Sequence, residues 1–369
     1  MPNIEDVFCA KLQLLAEQHR QRKLVECERI EDSYIIKNAK KLLSFSCNDY
    51  LGLSHSPQLK QAAIAAVEKY GSGCGASRLV TGNHPLYSEL EAKLAKFKGT
   101  ESALVFGSGY LANIGVIPAL VDKNDLIIAD KLVHACLIDG AKLSGAKFVR
   151  FKHNDLQDLQ HILSANRHKF RHCLIITDEV FSMDGDLAPL GELSTIAKQH
   201  DAWLMADAAH SLSPLPSQVD IYVGTLSKAF ASYGGFVCGK KVIIDYLISS
   251  SRSFMFSTGL PPASIAASIA ALDIITKDPA LLQKPIENAR IFTSAVGLPP
   301  AESPIVPIIL GDEEKAIAAS AVLESHGYAV SAIRPPTVPP GTSRLRFAFS
   351  SLHKCEDIYK VGEIVRDLR

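Results

Sequence analysis

The chain of 369 residues has little of several features that would place it at once. Its eight cysteines (Cys9, Cys27, Cys47, Cys74, Cys136, Cys173, Cys238, Cys355) include no CxxC pair, so neither a zinc ribbon nor a thioredoxin-type motif is supported. Reduced thiols and no metal centre are expected. Charge of one sign is not in excess, since 39 Lys+Arg balance 39 Asp+Glu, which argues against a polybasic nucleic-acid surface. No apolar run approaches the roughly 20 residues of a membrane span, and the start, MPNIEDVFCAKLQLLAEQ, lacks a basic region followed by an apolar one. The expectation is a cytoplasmic protein with no membrane or nucleic-acid partner. Repeats and low-complexity tracts are missing too. What is there, 47% hydrophobic and 21% charged residues, is ordinary globular composition, long enough for two or three units of roughly 150 residues. Small-molecule chemistry is the class left.

Residues 4–27 carry apolar side chains at helical spacing (Ile4, Val7, Phe8, Leu12, Leu15) and lead into a basic stretch at Arg20, Arg22 and Lys23, which predicts a helical arm. Lys41 to Cys47 reads as a strand. Ser56 and Pro57 start a helix, with Ser56 as its cap and Gly71 beyond its end; Pro85 to Lys98 forms another, stopped by Gly99. Short apolar runs then alternate with helical patterns: Ser102-ALVF, Asp125-LIIA, Lys147-FVRF, Cys173-LIIT and Ala202-WLMA, followed by Asp220-IYVGTL and Gly235-FVCG. Continuous apolar strands need cover on both faces, so this predicts an α/β fold with a mostly parallel sheet between helices. After Pro261-Pro262 an alanine-rich helix (Ala263 to Ile275) leads to Pro304-IVPIIL, Ala316-IAASAVLESHG and Arg344-LRFAF, which read as a smaller α+β unit. The expected division is an arm at 1–50, a large α/β domain at 51–260 and a small domain at 261–369.

In such sheets chemistry gathers where strands end. Asp207 ends WLMA, where its carboxylate could hold a cationic ring nitrogen, a metal or nothing. Lys228 follows the uncharged run IYVGTLS; partly desolvated, its amine becomes a nucleophile toward carbonyls, although a solvent-facing lysine would look the same. Gly107-Ser108-Gly109-Tyr110 joins a strand to a helix, where backbone N–H groups and the helix dipole suit one phosphate, or form only a turn. His134 opens a helix and could lie on a planar ring or serve as a cap. Gly71-Ser-Gly73-Cys-Gly75-Ala76 fits a dinucleotide fingerprint formally, but it follows a helix and lacks the downstream acid, so that reading fails. The other four are specific in combination: an acid for a pyridinium nitrogen, a lysine 21 residues later for an aldehyde, a turn for a phosphate and an imidazole for the ring face. That set matches pyridoxal 5'-phosphate (PLP).

The chain resembles the α-oxoamine synthases, which are fold-type I PLP enzymes. Asn48-DYLGLS, Gly71-SGCGASRLVTG, Asp130-KLVHA, Asp178-EVFSMDGDLAPL, Asp207-AAH, Gly224-TLSKAF, Phe256-STGLPP and Ala332-IRPPTVPPGTSRLR carry the resemblance, from about residue 20 to residue 348. It implies a PLP-dependent acyltransferase with a large mostly parallel α/β domain, a small C-terminal α+β domain and an N-terminal helical arm. Lys228 would form the Schiff base with the cofactor, Asp207 would pair with its ring nitrogen and His134 would stack on the ring. Ser182 and His210 would hold the phenolic oxygen side, while Gly109, Tyr110 and Thr225 would fix the phosphate. Asn48 and Arg346 would grip an amino-acid carboxylate, and Arg22 with Thr337 would meet the acyl substrate, with Arg20 close enough in sequence to replace Arg22. The AIRPPTVP segment is similar to the branch that joins L-alanine to a pimeloyl thioester of coenzyme A or acyl carrier protein, losing carbon dioxide, in biotin biosynthesis. Another member using glycine or serine with a different acyl-CoA, or a non-catalytic PLP-binding partner subunit, are the alternatives. A homodimer with its active site between subunits is implied as well. The chain departs from the family at Ala208, where a second Asp is common, at Ala231, where Gly usually stands, and at Ser211-LSPLPSQ, which replaces a glycine-rich continuation.

Overall fold

The computed structural model describes residues 3–18, 20–212 and 219–368. The Ser213 to Gln218 part of the divergent loop therefore lies outside the described residues. Helix α1 (Ile4–Glu17) is capped by Asn3 and followed by strands β1 (Cys27–Arg29), β2 (Tyr34–Lys37) and β3 (Lys40–Ser44). Helices α2 (Pro57–Tyr70) and α3 (Pro85–Lys98) precede β4 (Ser102–Phe106), α4 (Gly109–Leu120), β5 (Leu126–Asp130) and α5 (Ala135–Ser144). Then come β6 (Lys147–Phe151), α6 (Leu156–Asn166), β7 (Cys173–Asp178), α7 (Leu190–Gln199), β8 (Trp203–Asp207), β9 (Ile221–Thr225) and β10 (Gly235–Gly239). The remainder is α8 (Lys241–Ser250), α9 (Arg252–Met255), α10 (Pro262–Lys277), α11 (Lys284–Ala295), β11 (Ile305–Gly311), α12 (Glu313–Ser325), β12 (Tyr328–Ala329), β13 (Ser331–Ile333), β14 (Ser343–Ala348) and α13 (Cys355–Leu368).

Two units result. The larger holds Leu51–Ser182 and Asp186–Lys284; the smaller holds the described residues up to Tyr50, Met183–Gly185 and those from Pro285 onward. In the larger, a seven-stranded sheet runs in the order β4-β10-β9-β8-β7-β5-β6, parallel throughout except for β10, which is antiparallel to both its neighbours. Its strands are largely buried apart from the edge strand β6, where only Phe151 is enclosed, because both faces are covered. Ile127, Leu174, Met205, Val223 and Val237 pack with Val116 and Ile117 of α4 and Leu137 of α5 in one cluster. Leu174 is fully buried there, so Leu174→Ala would cost about 2–5 kcal/mol. The parallel order brings the C-terminal ends of β5, β7, β8 and β9 side by side, and Asp178 and Asp207 are direct partners in the β7–β8 register.

The smaller unit contains a four-stranded sheet, β1-β2-β3-β12, and a three-stranded one, β11-β14-β13. Phe45, Phe292, Phe347 and Phe349 form its centre with Leu345, Ile358 and Val361. Three expectations need correction. The arm helix ends at Glu17, because apolar periodicity stops there, and Arg20, Arg22 and Lys23 lie beyond it. Residues 27–44, taken as arm, hold the successive strands β1, β2 and β3, of which β3 pairs with β12, so they are part of the smaller unit. The alanine-rich helix α10 packs on α2 and α3, burying Ile265, Ile269 and Leu272, so the larger unit extends to Lys284 rather than to residue 260. A minor one is Ser56, whose hydroxyl bonds to Gln58 Oε1 at 2.7 Å instead of capping an α2 N–H.

Candidate active site

At the strand ends of the larger unit lies a cavity of about 260 Å³, and eight residues singled out in the sequence line it together: Gly109, Tyr110, His134, Ser182, Asp207, His210, Thr225 and Lys228. At one end α4 begins. Ser108 is its N-cap, with Oγ accepting from the Leu111 N–H at 3.1 Å, and the first-turn N–H groups have no acceptor within the helix. A Cβ on Gly109 would lie 3.4 Å from Thr225 Cβ and 3.8 Å from Thr225 Oγ1. Glycine thus keeps open the space between the helix start and Thr225. Gly235 does the complementary job, since a Cβ there would come within 2.4 Å of Gly109 N. The turn can lie against β10 only because that side chain is absent. Tyr110 points its hydroxyl to Asp139.

Asp207 ends β8 and is buried. Its Oδ2 accepts from Asn113 Nδ2 at 2.6 Å and its Oδ1 from the Ala209 N–H at 2.8 Å. The neighbouring strand-end acid, Asp178, is different: burial, then the charge of Asp207, push its carboxyl well above the usual range. Two carboxylates side by side oppose each other's ionisation, and the more deeply enclosed Asp178 is the one that holds its proton more readily. Asp178 Oδ1 accepts from the His134 N–H at 3.3 Å, which ties the start of α5 to β7. The His134 ring accepts at Nδ1 from the Cys136 N–H and has Cys136 Sγ at 2.8 Å. Poor hydration, followed by the charge of Lys228, lowers its pKa against the pull of Asp207, so the ring is neutral.

Lys228 follows β9 and is half-buried, with Nζ 2.7 Å from His210 Nε2. His210 itself is buried. Ser182 sits next to Phe181 in a hairpin closed by the Val180–Leu187 bridge. Sequence reasoning missed Asn113, Cys136 and the pairing of Asp178 with Asp207. Asn113 falls one helical turn beyond Gly109, the only signal that could have found it.

The other candidates belong to the smaller unit. Arg346, on β14, is buried and sends Nη1 and Nη2 to Asn48 Oδ1 at 3.2 and 3.3 Å, and Tyr50 donates to the same oxygen at 3.2 Å. Burial, opposed by Arg346, pushes the Tyr50 hydroxyl up to about 12, so it stays a donor. Arg22 donates from Nη2 to Thr337 Oγ1 at 2.9 Å on the surface, in a groove of about 330 Å³ that Arg20, Lys23 and Arg334 also line. Among the described residues no cluster of three or more His, Cys, Asp or Glu could hold a metal, and no helix is long and apolar enough to cross a membrane.

The family model for aminotransferase class I and II matches residues 40–361. An 8-amino-7-oxononanoate synthase of Beijerinckia indica subsp. indica is 51% identical over 381 residues, covering 100% of this chain and 98% of its own. Among solved structures, a serine palmitoyltransferase from S. paucimobilis with a bound PLP-myriocin aldimine superposes with a TM-score of 0.91 at 29% identity, covering 98% of this chain and 96% of that one. An 8-amino-7-oxononanoate synthase from Francisella tularensis gives 0.76 at 30% identity, covering 88% and 97%.

Proposed function

The chain belongs to the aminotransferase class I and II family, and from that premise we propose that it is a PLP-dependent acyltransferase that condenses L-alanine with a pimeloyl thioester to 8-amino-7-oxononanoate, in biotin biosynthesis. The observation that carries this reading is one cavity lined by a strand-end acid, a strand-end lysine, an imidazole and a helix N-terminus. The donor set fits PLP. The start of α4, with Gly109 and Thr225, would hold its phosphate, and Asp207 would hold its ring nitrogen in the protonated state. When bound, PLP supplies an aldehyde for the amino acid and a protonated ring that withdraws electrons from the amino-acid Cα.

The residues of the chain do the rest. Lys228 would be the residue that holds the aldehyde, and its amine, with His210 Nε2 at hydrogen-bond distance to orient it, would take the Cα proton of alanine. Asn113 and the Ala209 N–H fix the position of the Asp207 carboxylate by one hydrogen bond to each oxygen. His134, neutral, would cover the ring face without adding charge, and Ser182 and His210 would hold the phenolic side. On the same reading Arg346 takes the substrate carboxylate; its two donors, now converging on one amide oxygen, match two carboxylate oxygens better. Asn48 and Tyr50 hold that guanidinium in place. Arg22 and Thr337 meet the thioester, carried by coenzyme A or acyl carrier protein. The enzyme acts as a homodimer in the cytoplasm; support for the dimer comes from α1, whose Ile4, Phe8, Leu12 and Leu15 all stay exposed on one face.

The purified protein with PLP, L-alanine and a pimeloyl thioester should release carbon dioxide and form 8-amino-7-oxononanoate, detected by mass spectrometry. Preference for glycine or serine with acetyl, succinyl or palmitoyl thioesters would overturn the substrate assignment. Silence toward every pair, with PLP bound, would mark a non-catalytic partner subunit.

A further inference from the structure

His153 lies outside the cavity lining, yet both its ring nitrogens meet carboxylates on segments that lead into it. Nδ1 is 3.0 Å from Asp130 Oδ1 and Nε2 is 2.7 Å from Asp186 Oδ2. An ionised carboxylate only accepts hydrogen bonds, so both nitrogens donate and the ring carries two protons. Phe181 meets it edge-on, with centroids 4.4 Å apart. Burial opposes the charge, but hydrogen bonds to Asp130 and Asp186 prevail and push the imidazole up to about 10. Those two carboxylates are the charged groups that face the ring, from β5 and from the hairpin.

Each carboxylate is built into a segment that delivers a cavity residue. Asp130 is fully buried at the end of β5, where Oδ1 also accepts from the Leu132 N–H and Oδ2 from the Asn154 N–H, both at 2.8 Å. Those bonds shape the turn that hands the chain on to His134. The carbonyl of Asp186 accepts from the Phe181 N–H at 3.0 Å, one residue before Ser182. Its Oδ2 also takes a 3.2 Å bond from Asn154 Nδ2, while Oδ1 is buried with no hydrogen-bond partner. The charge of that half-satisfied carboxylate is answered by His153.

We propose that His153 is a positioning residue that, as a cation between Asp130 and Asp186, locks the turn carrying His134 to the hairpin carrying Ser182. It does not line the cavity. It sets where two cavity walls stand, so its loss loosens both at once. The link to cofactor placement rests on the PLP reading of the cavity, whereas the charged clamp does not.

The test has two arms. In the cofactor-free protein with ¹⁵N-labelled histidine, both His153 nitrogens should be protonated at a pH of about 8, above the ordinary histidine range. Asp186→Asn should lower the pH at which one proton leaves. A neutral His153 ring at that pH overturns the clamp whatever the cavity binds. In the full chain titrated with PLP, His153→Gln should weaken cofactor binding about tenfold, shift the bound cofactor's absorption and lower kcat more than it raises KM for alanine. If wild type fails to bind PLP, the proposed function falls; if wild type binds and His153→Gln matches it in affinity, spectrum and kcat, the positioning role falls. Should His153→Gln fail to fold, Asp186→Asn makes the same comparison.

Discussion

His153 in the larger unit and His353 in the smaller are both enclosed, yet their surroundings drive them in opposite directions. His153 lies between two carboxylates and is raised to about 10. His353 is buried against Phe45, with centroids 4.1 Å apart; its Nε2 donates to the Ser44 carbonyl at 3.0 Å and its Nδ1 accepts from the Ser350 N–H at 3.1 Å. Burial lowers it to about 4, the Ser44 carbonyl resisting. The larger unit spends its polar groups on paired charges at strand ends, around the cavity. The smaller builds an aromatic interior in which histidine is neutral and structural. Substitutions at the cavity should therefore change chemistry before stability, and those in the aromatic interior stability before chemistry.

The largest effect expected is at Lys228. Its amine meets His210 from a half-buried position, so Lys228→Ala removes little packing. Turnover should fall by roughly 10³-fold or more, and the visible absorption of the lysine-bound cofactor should vanish while unfolding stays cooperative. Retention of band and turnover would remove Lys228 from the site. Asp207→Asn comes next, at about 10²-fold in kcat with a smaller loss of PLP affinity, because the amide keeps shape but cannot hold a protonated ring nitrogen. The substitution also removes one of the causes that raise the Asp178 carboxyl, the charge of Asp207 beside it. Near-normal turnover would therefore transfer the role to Asp178 or Glu179.

Acid should separate the units. The folded value of His353, about 4, lies below the unfolded 6.5, so the unfolded chain binds the proton more readily between them. Its contribution is whole above pH 6.5 and is lost as pH falls toward 4, a drop of about 3 kcal/mol. His153 has the opposite sign: its contribution is whole below 6.5 and is lost as pH rises through about 10. Trp203 is the single tryptophan of the chain and sits on β8 of the larger unit. Denaturation followed by circular dichroism should weaken in mild acid before Trp203 fluorescence does, and His353→Gln should remove that acid step. Coincident transitions at every pH would show that the two interiors do not differ in this way.

The same contrast explains what could be read from the sequence. Strands of the larger unit are continuous apolar runs ended by a polar residue, so Asp207, Lys228 and the Gly107–Tyr110 turn announced themselves. The smaller unit's β1 is exposed throughout and β2 is evenly half-buried, so neither alternates, and the segment read as an arm. Pairing was the other gap. Asn113 reaches Asp207 across 94 positions, and His153 reaches Asp130 and Asp186 across 23 and 33; single residues carry no mark of such partners.

The smallest effect expected concerns the two arginines of the smaller unit. Arg346 is buried and held by two bonds to Asn48, whereas Arg22 is exposed and makes one bond to Thr337. A buried fork aimed at a carboxylate is not replaceable by a point charge, so Arg346→Lys should raise KM for alanine about tenfold and leave that for the thioester alone. Arg22 works from a solvated groove with Arg20, Lys23 and Arg334 beside it, where loss of one cation is partly covered by the others. Both thioester carriers bear phosphate, so Arg22→Glu should raise the thioester KM only several-fold. That increase should shrink as salt rises, because the screening length is about 10 Å at 0.1 M. KM for alanine should hardly move. Both constants measured at low and high salt decide the matter: equal, salt-independent changes for the two substrates would mean that Arg22 supports the fold or the dimer and that the thioester enters elsewhere.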